Sequence, residues 1–581
     1  MKWVIAYLIC VVSSVISAVL IAFIGNGLNN KIALISLFIG LGTSIYFLVQ
    51  DKNITSGIKK EELGTWSWLV IIFFILFSLR SFIWLIFKSG NSLFISSPHN
   101  LGDLSLHITY ITNLASGVSF WPDNPILTGA KLRYPIGIDL FNSLLLLMGV
   151  DLVRGLIWVG LLSSVATLLT LLAWGRTFTL AGFLFNGGLA GFIFFTTLKL
   201  TNHQFDVDWK SIPLTLFITQ RGYLFAVPAG LLLLSSWRER FFNSQTSNNH
   251  SGLLLPLWVE VLFYSTMPIF HMHTFVYLTL LLGFWFLFLP KEQKVKIFKL
   301  AVLSFVPVFL FVVVLTGFIK GTSIIHIKAG WEQGNKNFFE FWLSNFGLFL
   351  PLVIFLLYKT MIKKEAGKAR LAIELNSDTA FIFPAVLLFI FFCFVMLHPA
   401  SWDNIKVLMW SYLILLPYIW REIISKSNIY LKYIICFVLF FSGFTSILES
   451  MSLNHKYEIF KLDEIYGVSS AVKNLPVQYR FASYPTYNHP LLYAGRKVVL
   501  GYPGHIWVHG FAYSDVEMKL KRLMLGDPEW KQLAKELNVK YIFWGERESH
   551  EYSTSTKPWE LNSQKVASCS YGDIYDLGNL Q

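Results

Sequence analysis

The sequence predicts a polytopic α-helical membrane protein of about 12–14 transmembrane helices with a small C-terminal α/β domain outside the membrane. Hydrophobic residues make up 55% of the 581 residues and charged residues 14%, whereas soluble chains carry about a quarter charged residues. Apolar runs long enough to cross a hydrocarbon core of roughly 30 Å recur up to residue 450, beyond which charges return. These observations divide the chain into a membrane domain, 1–450, and an α/β domain, 451–581.

The basic charge balance is interpreted as a signal of membrane topology, and no nucleic-acid partner is expected. The net charge is +13, and an excess of Lys and Arg in a membrane protein marks its cytoplasmic loops. The four cysteines have neither metal-binding nor redox spacing, so no disulfide framework is expected.

The apolar runs define the predicted spans. The first run lacks a convincing cleavage site and is long enough to cross the membrane, so it is interpreted as a retained helix. The runs lie near 3–24, 32–49, 67–87, 155–175, 178–198, 222–236, 254–270, 273–289, 299–318, 343–358, 380–397, 405–421 and 429–447. A shorter run follows Pro135, and a half-helix or re-entrant segment is expected between 136 and 221.

Basic loops alternate with loops of a different character, and this alternation predicts the side that each loop faces. The basic loops hold Lys52, Lys59, Lys60, Arg238, Arg240, Lys291, Lys294, Lys296, Lys359, Lys363, Lys364, Lys368, Arg370, Arg421 and Lys426. The positive-inside rule places these loops in the cytoplasm. The outer loops are then 88–135, 199–221, 271–273, 319–342 and 398–404, together with the C-terminal domain.

The C-terminal domain shows short strands and a helix. Val498 to Leu500 and Tyr541 to Trp544 have the composition of strands. Apolar residues between Glu529 and Leu537 recur at helical spacing, and Asn538 ends that helix before the second strand. A helix running into a strand indicates a small α/β domain.

The first outer loop contains the leading candidate for a catalytic group. Asp103 and His107 are four residues apart, so they share one face of a helix. The apolar residues between and after them predict a helix lying along the membrane surface. The alternative is that Asp103 only caps this helix. Since a loop of 48 residues is long for a mere connection, a functional role is favoured.

The loop 199–221 offers two further candidates. Asp206 and Asp208 form an Asp-x-Asp pair, but such a pair is common by chance and no metal site is assigned to it. Gln220 and Arg221 open the next helix. Arg221 either extends its charged head to the interface or grips a phosphate with its guanidinium fork.

Two histidines and a later polar segment complete the set. His271 and His273 lie in an apolar context, and on a helix their rings diverge by about 200°, which favours a cavity-lining pair over a zinc site. The segment after His398 contains Trp402, Asp403, Asn404 and Lys406. Asp403 and Lys406 are expected to pair, and the alternative is that Asp403 or Asn404 caps the following helix.

The order of several short motifs along the chain resembles one known class. The motifs are Asp103 with His107; Asn124-Pro125, Gly129, Leu132, Tyr134 and Pro135; Gln220-Arg221-Gly222; Trp402-Asp403-Asn404 with Lys406; and, in the tail, Asn488-His489-Pro490, Gly495-Arg496, Gly501-Tyr502, His509-Gly510 and Tyr541 to Arg547. From about residue 100 onward the sequence resembles the GT-C class of integral membrane glycosyltransferases, and within it a loosely characterised group of bacterial membrane proteins.

The resemblance implies an activity and its partners. It implies transfer of a sugar from a polyprenyl-phosphate-type carrier to a hydroxyl of a glycan, lipid or protein, on the outer face of the plasma membrane. Asp103 would be the general base that takes the proton of the acceptor hydroxyl. Arg221, Arg133 and Lys406, in that order, are the candidates for the leaving phosphate.

The resemblance also assigns substrate-binding residues. These are His107, Arg133, Tyr134, Gln220, Arg221, His271, His273, Trp402, Asp403, Asn404 and Lys406. No cofactor is certain and a divalent cation is left open. The class often has a second acidic residue beside the first, whereas here Gly102 precedes Asp103, so no metal ligand is assigned.

Two other functions remain open. A lipid-linked saccharide ligase or polymerase depends on a large outer loop late in the chain, whereas here the acidic loop comes early. A transporter or flippase would show two related halves with broken helices, and the sequence has no such internal symmetry.

Overall fold

The computed structural model describes residues 1–51, 64–203, 206–242, 253–317, 325–364, 371–373 and 376–578. Lys52, Lys59, Lys60, Lys368 and Arg370, which were used to predict the topology, lie outside the described residues. The chain is a polytopic α-helical membrane protein with a small C-terminal α/β unit.

The membrane part consists of helices, and some of the segments that connect them contain short strands. Its helices are α1 (Lys2–Ile24), α2 (Asn30–Gln50), α3 (Thr65–Ile83), α4 (Asn100–Ala115), α5 (Gly137–Leu147), α6 (Leu152–Leu184), α7 (Phe194–Thr197), α8 (Tyr223–Phe242), α9 (Leu257–Phe270), α10 (Met272–Phe288), α11 (Lys291–Leu315), α12 (Phe338–Phe346), α13 (Phe349–Met361), α14 (Ser377–Phe392), α15 (Ile405–Ile419) and α16 (Ile429–Ser450). Its strands are β1 (Phe87–Ser89), β2 (Ser92–Ile95), β3 (His326–Ile327), β4 (Ile362–Lys364), β5 (Leu371–Ile373) and β6 (Val395–Met396).

Fewer helices than predicted are long enough to cross a bilayer. Among the described residues, 7 helices meet the length and composition of a span, or up to 8 if α12 and α13, which meet at 90°, form one broken span. Four more apolar helices, α5, α9, α10 and α14, have only 10–17 residues. The predicted 12–14 spans therefore exceed this number, because an apolar run shows hydrophobicity but not where a helix stops.

The region between 136 and 221 shows this clearly. The half-helix expected after Pro135 is α5, whose 11 residues are too few to cross the membrane. The predicted span 155–175 corresponds to the first part of α6, which breaks at Gly175 and Arg176, between the two predicted runs. The part after the break ends already at Leu184. The separate span predicted at 178–198 is wrong.

The C-terminal unit combines a five-stranded sheet with short helices. Its helices are α17 (Leu462–Val472), α18 (Pro490–Tyr493), α19 (Pro503–Val508), α20 (Ser514–Leu525), α21 (Trp530–Glu536), α22 (Glu546–Glu551) and α23 (Trp559–Asn562). Its strands are β7 (Tyr457–Lys461), β8 (Arg480–Ala482), β9 (Lys497–Val498), β10 (Val539–Gly545), β11 (Gln564–Cys569) and β12 (Gly572–Asp576). The strand order is β11-β12-β10-β8-β9, with β8 parallel to both neighbours. The predicted helix before Asn538 and the strand after it are confirmed as α21 and β10.

The C-terminal unit is joined to the loop 88–135 by main-chain hydrogen bonds. β7 pairs with β2 in an antiparallel register. The Val498 amide donates to the Pro125 carbonyl at 2.9 Å, and the Thr128 amide donates to the Val499 carbonyl at 2.9 Å. As a result the C-terminal unit covers α4 and the turn that follows it.

Candidate functional site

The two ends of the helix bundle differ in the charges that they carry. At one end Arg421 forms an ion pair with Asp378 at 2.6 Å, and the Lys359 ammonium binds the Glu422 carbonyl. At the other end lie Asp403 and the polar groups described below. Asp403 and Arg421 are 18 helical residues apart within one span, which is roughly 27 Å along the helix axis. The described basic residues of this region and the candidate site are therefore at opposite ends.

α4 places Asp103 and His107 in the candidate site. The helix begins after His99, so Asp103 lies in its first turn and does not cap it. The half-buried Asp103 carboxylate instead accepts a hydrogen bond from the Gln220 amide at 3.3 Å. The interpretation of Asp103 as the helix cap is wrong.

α4 is also more enclosed than a helix on the membrane surface. Leu104, Leu106, Ile108 and Ile111 are buried, and so are the polar Thr109 and Asn113. The Asn113 amide donates to the Gly495 carbonyl at 3.1 Å, because the C-terminal unit packs on the face that was expected to meet water. The surface-lying helix predicted for this segment is therefore buried on both faces.

His107 is held by a partner that the sequence analysis did not identify. Its Nδ1 lies 2.9 Å from an Asp139 carboxylate oxygen, and both side chains are 1% exposed. Asp139 lies in the first turn of α5. The other ring nitrogen, Nε2, lies 3.4 Å from the main-chain N–H of Arg221. Asp139 thus sets the orientation of the imidazole ring next to Asp103.

Arg221 is buried beneath this pair. Its side chain is 1% exposed, which rules out a charged head extended to the interface. Nη2 donates to the Leu156 carbonyl at 3.2 Å, while Nε and Nη1 have no hydrogen-bond partner among the described residues. Its charge interacts with that of Asp139, which favours a charge-balancing role.

Asp403 and Lys406 form the predicted ion pair. The Lys406 ammonium lies 2.6 Å from the Asp403 carboxylate, and His398 Nε2 lies 3.3 Å from the same oxygen. Asn404 precedes α15, but its side chain does not cap the helix. Its side-chain oxygen accepts from the Leu397 N–H, and its side-chain amide donates to the carbonyls of Phe392 and Val395. The capping interpretation is therefore wrong for both residues, and Trp402 is 40% exposed at the surface.

His271 and His273 lie next to one another. His271 is in an extended conformation just before α10, so the two rings do not diverge as they would on a continuous helix. Their centroids are 5.6 Å apart, and that of His273 is 6.5 Å from His398. His271 Nδ1 accepts from the Thr274 amide at 3.1 Å, which makes it the cap of α10.

The C-terminal unit contributes His505, which the sequence analysis did not single out, and His509, which it named only as part of a motif in the tail. His505 of α19 lies against Gly102: a Cβ atom on Gly102 would be 3.0 Å from its Nε2. The ring of His509 lies 5.1 Å from Tyr134, whose ring is 5.8 Å from His107.

Arg133 also contacts the C-terminal unit. Its guanidinium lies 4.6 Å from the ring centroid of Phe511. We use the name polar cluster for Asp103, His107, Gln220, Asp403, Lys406, His505 and His509.

Burial sets the acidity of Asp103. It raises the pKa of the carboxyl group above its usual range, and the neighbouring His107 and Lys406 partly oppose this rise. A carboxylate with a raised pKa is a stronger base. The polar cluster therefore contains one carboxylate suited to accept a proton.

The carboxylates do not fit a metal site. Asp139 and Asp403 are already paired with His107 and Lys406. Asp206 and Asp208 bind His203 and Lys336, at 3.6 and 3.4 Å, and not the polar cluster. In the described ranges no group of three or more His, Cys, Asp and Glu side chains is arranged to hold a metal ion.

A cavity adjoins the start of α4. It has a volume of about 290 Å³ and is lined by Arg80, His99, Thr201, Asn202, His455 and Tyr457, among others. Asp103 does not line it but lies one helical turn beyond His99.

Comparisons with known proteins give only distant matches. No protein-family model and no curated protein match the sequence. Among solved structures, the chain is similar to the archaeal oligosaccharyltransferase AglB from Archaeoglobus fulgidus in complex with an inhibitory peptide and a dolichol-phosphate, with 12% identity and a TM-score of 0.42 over 84% of this chain and 71% of that one. It is also similar to the Archaeoglobus fulgidus oligosaccharyltransferase tethered to an acceptor peptide, with 11% identity and a TM-score of 0.45 over 87% and 74% of the two chains. Likeness of this size assigns no role to any residue of the site.

Proposed function

We propose that the protein transfers a sugar from a polyprenyl-phosphate-type lipid carrier to an acceptor hydroxyl on the extracytoplasmic face, with Asp103 as general base. The observation that carries the proposal is the position of Asp103. It is a half-buried carboxylate of raised pKa at the end of the helix bundle opposite Arg421, beside Gln220 and under the C-terminal unit.

The chemistry requires few groups. Asp103 takes the proton of the acceptor hydroxyl while its oxygen forms a bond to the anomeric carbon of the sugar. The bond between that carbon and the phosphate oxygen breaks, and the lipid phosphate leaves with the electron pair. Gln220 orients the carboxylate, and the ion pair of Lys406 with Asp403 places a positive charge near the leaving phosphate.

The positive-inside rule supports the choice of face. Arg421 and Lys359, from two of the basic loops, lie at the end of the bundle away from the polar cluster. If that end is cytoplasmic, the polar cluster is on the outer side of the plasma membrane. The adjoining cavity supplies room for a polar substrate one turn from Asp103.

The first prediction is that Asp103→Asn abolishes most of the transfer. Asn keeps an oxygen that accepts from Gln220, so the site keeps its geometry and only the base is lost. Transfer of a radiolabelled sugar from a polyprenyl phosphate by the purified full chain should fall by roughly 10²–10⁴-fold. The thermal unfolding midpoint should stay at the wild-type value.

Asp206→Asn is the matched control, because Asp206 is 68% exposed and binds only His203 among the described partners. It should keep full activity. Activity of Asp103→Asn within a few-fold of wild type would refute the role of Asp103.

The pH dependence gives a second readout of the same prediction. A base must be ionised, so wild-type transfer should fall as the pH drops through the pKa of Asp103. Because burial raises that pKa, the fall should occur above the ordinary value of about 3.9. The residual activity of Asp103→Asn should lack this acidic limb.

A further inference from the structure

Two histidines of the C-terminal unit enter the polar cluster without a hydrogen-bond partner. His505 and His509 are four residues apart, at α19 and just beyond it. His505 is 8% exposed and His509 is half-buried. Within the described part of the chain, none of the hydrogen bonds recorded uses a ring nitrogen of either residue. Ring nitrogens of both residues are therefore available to a ligand that enters the polar cluster.

The surroundings of the two imidazoles keep both rings neutral. Burial, with a smaller contribution from His107, lowers the pKa of His505 to about 4. Burial also lowers the pKa of His509 well below its usual range, and the nearby bases, Lys406 among them, act in the same direction. Each neutral ring can donate one N–H hydrogen bond to an anion.

The other cationic groups considered for a phosphate are enclosed, stacked on a ring or paired with a carboxylate. Arg221 is enclosed beneath His107 and binds the Leu156 carbonyl. Arg133 lies over the ring of Phe511, and Lys406 is paired with Asp403. Lys406 contributes charge at a distance, whereas His505 and His509 offer N–H groups for direct contact.

The position of His505 brings the pair His505 and His509 close to the proposed base. Its Nε2 lies against Gly102, the residue before Asp103. A phosphate bound there holds its sugar near the proposed base, and the acceptor hydroxyl approaches the anomeric carbon from the side opposite the phosphate. No metal ion is needed for this contact.

We propose that His505 and His509 bind the phosphate group of the lipid-linked substrate by hydrogen bonds. The identity of the anion rests on the proposed function; the anion site itself rests on the two unpartnered imidazoles. The C-terminal unit is then part of the binding site and not only a cover.

Binding can be measured on the full chain in lipid nanodiscs with two matched probes. Citronellyl phosphate carries a phosphate on a short prenyl chain, and citronellol is the same chain as an alcohol. His505→Phe and His509→Phe keep a ring of similar volume but remove its nitrogens. Each should weaken citronellyl phosphate binding by about 10- to 100-fold and leave citronellol binding unchanged. His550→Phe, at an exposed position of the same unit, should bind both probes like wild type.

A measurement on the wild-type protein removes any dependence on the folding of the variants. Citronellyl phosphate should slow modification of His505 and His509 by diethyl pyrocarbonate, as read by peptide mass spectrometry, while citronellol should not. His550 should react equally in every sample. Unchanged phosphate affinity in both variants, or equal modification with and without the phosphate, overturns the proposal.

The outcome is separable from that of the proposed function. Phosphate binding that depends on His505 and His509 in a protein without sugar transfer would refute the function alone. Sugar transfer that depends on Asp103 but not on these histidines would refute this inference alone.

Discussion

At the scale of single residues, the buried groups Asp139, His107 and Arg221 contact one another in sequence beneath Asp103. Asp139 holds His107 at 2.9 Å, and the main chain of Arg221 lies 3.4 Å from the other nitrogen of the same ring. A buried charge without a partner is expensive, so the Arg221 guanidinium compensates the Asp139 carboxylate. The Arg221 guanidinium thus helps indirectly, through Asp139, to keep His107 in its position.

This coupling predicts opposite outcomes for two substitutions of Arg221. Arg221→Lys keeps the charge and should fold with a slightly lower thermal midpoint and retain transfer. Arg221→Gln removes the positive charge near Asp139 and the charged donor to the Leu156 carbonyl. It should lose about 1.5–3 kcal/mol of stability, measured by thermal unfolding in detergent. Arg154→Gln, at an exposed position of α6, should unfold like wild type. Loss of transfer in a stable Arg221→Lys would instead support the phosphate-gripping fork inferred from the sequence.

The residues of the site differ in how far the sequence could predict them. Asp103, Gln220, Asp403 and Lys406 were identified, because polar residues at the ends of membrane helices are visible against an apolar background. Asp139 gave the same signal, a lone carboxylate in an apolar run, but no motif drew attention to it.

His505 of α19 and His509 just beyond it could not be assigned to the site from the sequence, although His509 is part of a tail motif. Their place next to Gly102 depends on how the C-terminal unit docks, which is a contact between segments far apart in the chain. No local pattern in one sequence contains that contact.

At the scale of elements, α4 is clamped at both ends by the C-terminal unit. Near its end the Thr112 hydroxyl donates to the Leu492 carbonyl at 3.0 Å, and the Asn113 amide donates to Gly495. At its start Gly102 meets His505. The absence of a side chain at Gly102 thus allows α19 to approach the carboxylate of the next residue.

The contact between Gly102 and His505 predicts that Gly102→Ala lowers activity without lowering stability. Alanine favours a helix over glycine by roughly 1 kcal/mol, which should hold or raise the thermal midpoint. The new methyl group would lie 3.0 Å from His505 Nε2, so α19 must shift by a few tenths of an ångström. Sugar transfer should therefore fall several-fold. Gly42→Ala in α2, where a methyl group meets nothing within 4 Å, is the control and should keep full activity. Wild-type transfer by Gly102→Ala would show that the contact has no role in the reaction.

At the scale of the whole molecule, the basic loop residues Arg421 and Lys359 lie at the end opposite the polar cluster. α15 and its flanks connect the two ends, with Asp403 at one and Arg421 at the other. The sequence could predict this polarity because loop composition follows topology. It could not predict the number of full spans, since α5, α9, α10 and α14 are apolar but shorter than the bilayer requires. Two of them, α9 and α10, are separated by His271, which enters the bundle between them.

The orientation of the molecule is the last prediction, and it determines where the substrates are met. In a cysteine-free background, Asn335→Cys and Ser470→Cys should react with a membrane-impermeant maleimide in intact cells, because both positions are exposed on the side of the polar cluster. Lys426→Cys, exposed between α15 and α16 beside the basic end, should react only after the membrane is permeabilised. Ser244, in another loop expected to be cytoplasmic, lies outside the described residues, so Lys426 takes its place. Labelling of Lys426→Cys in intact cells with protection of the other two would invert the topology, and the polar cluster would then meet cytoplasmic substrates and not a carrier on the outer face.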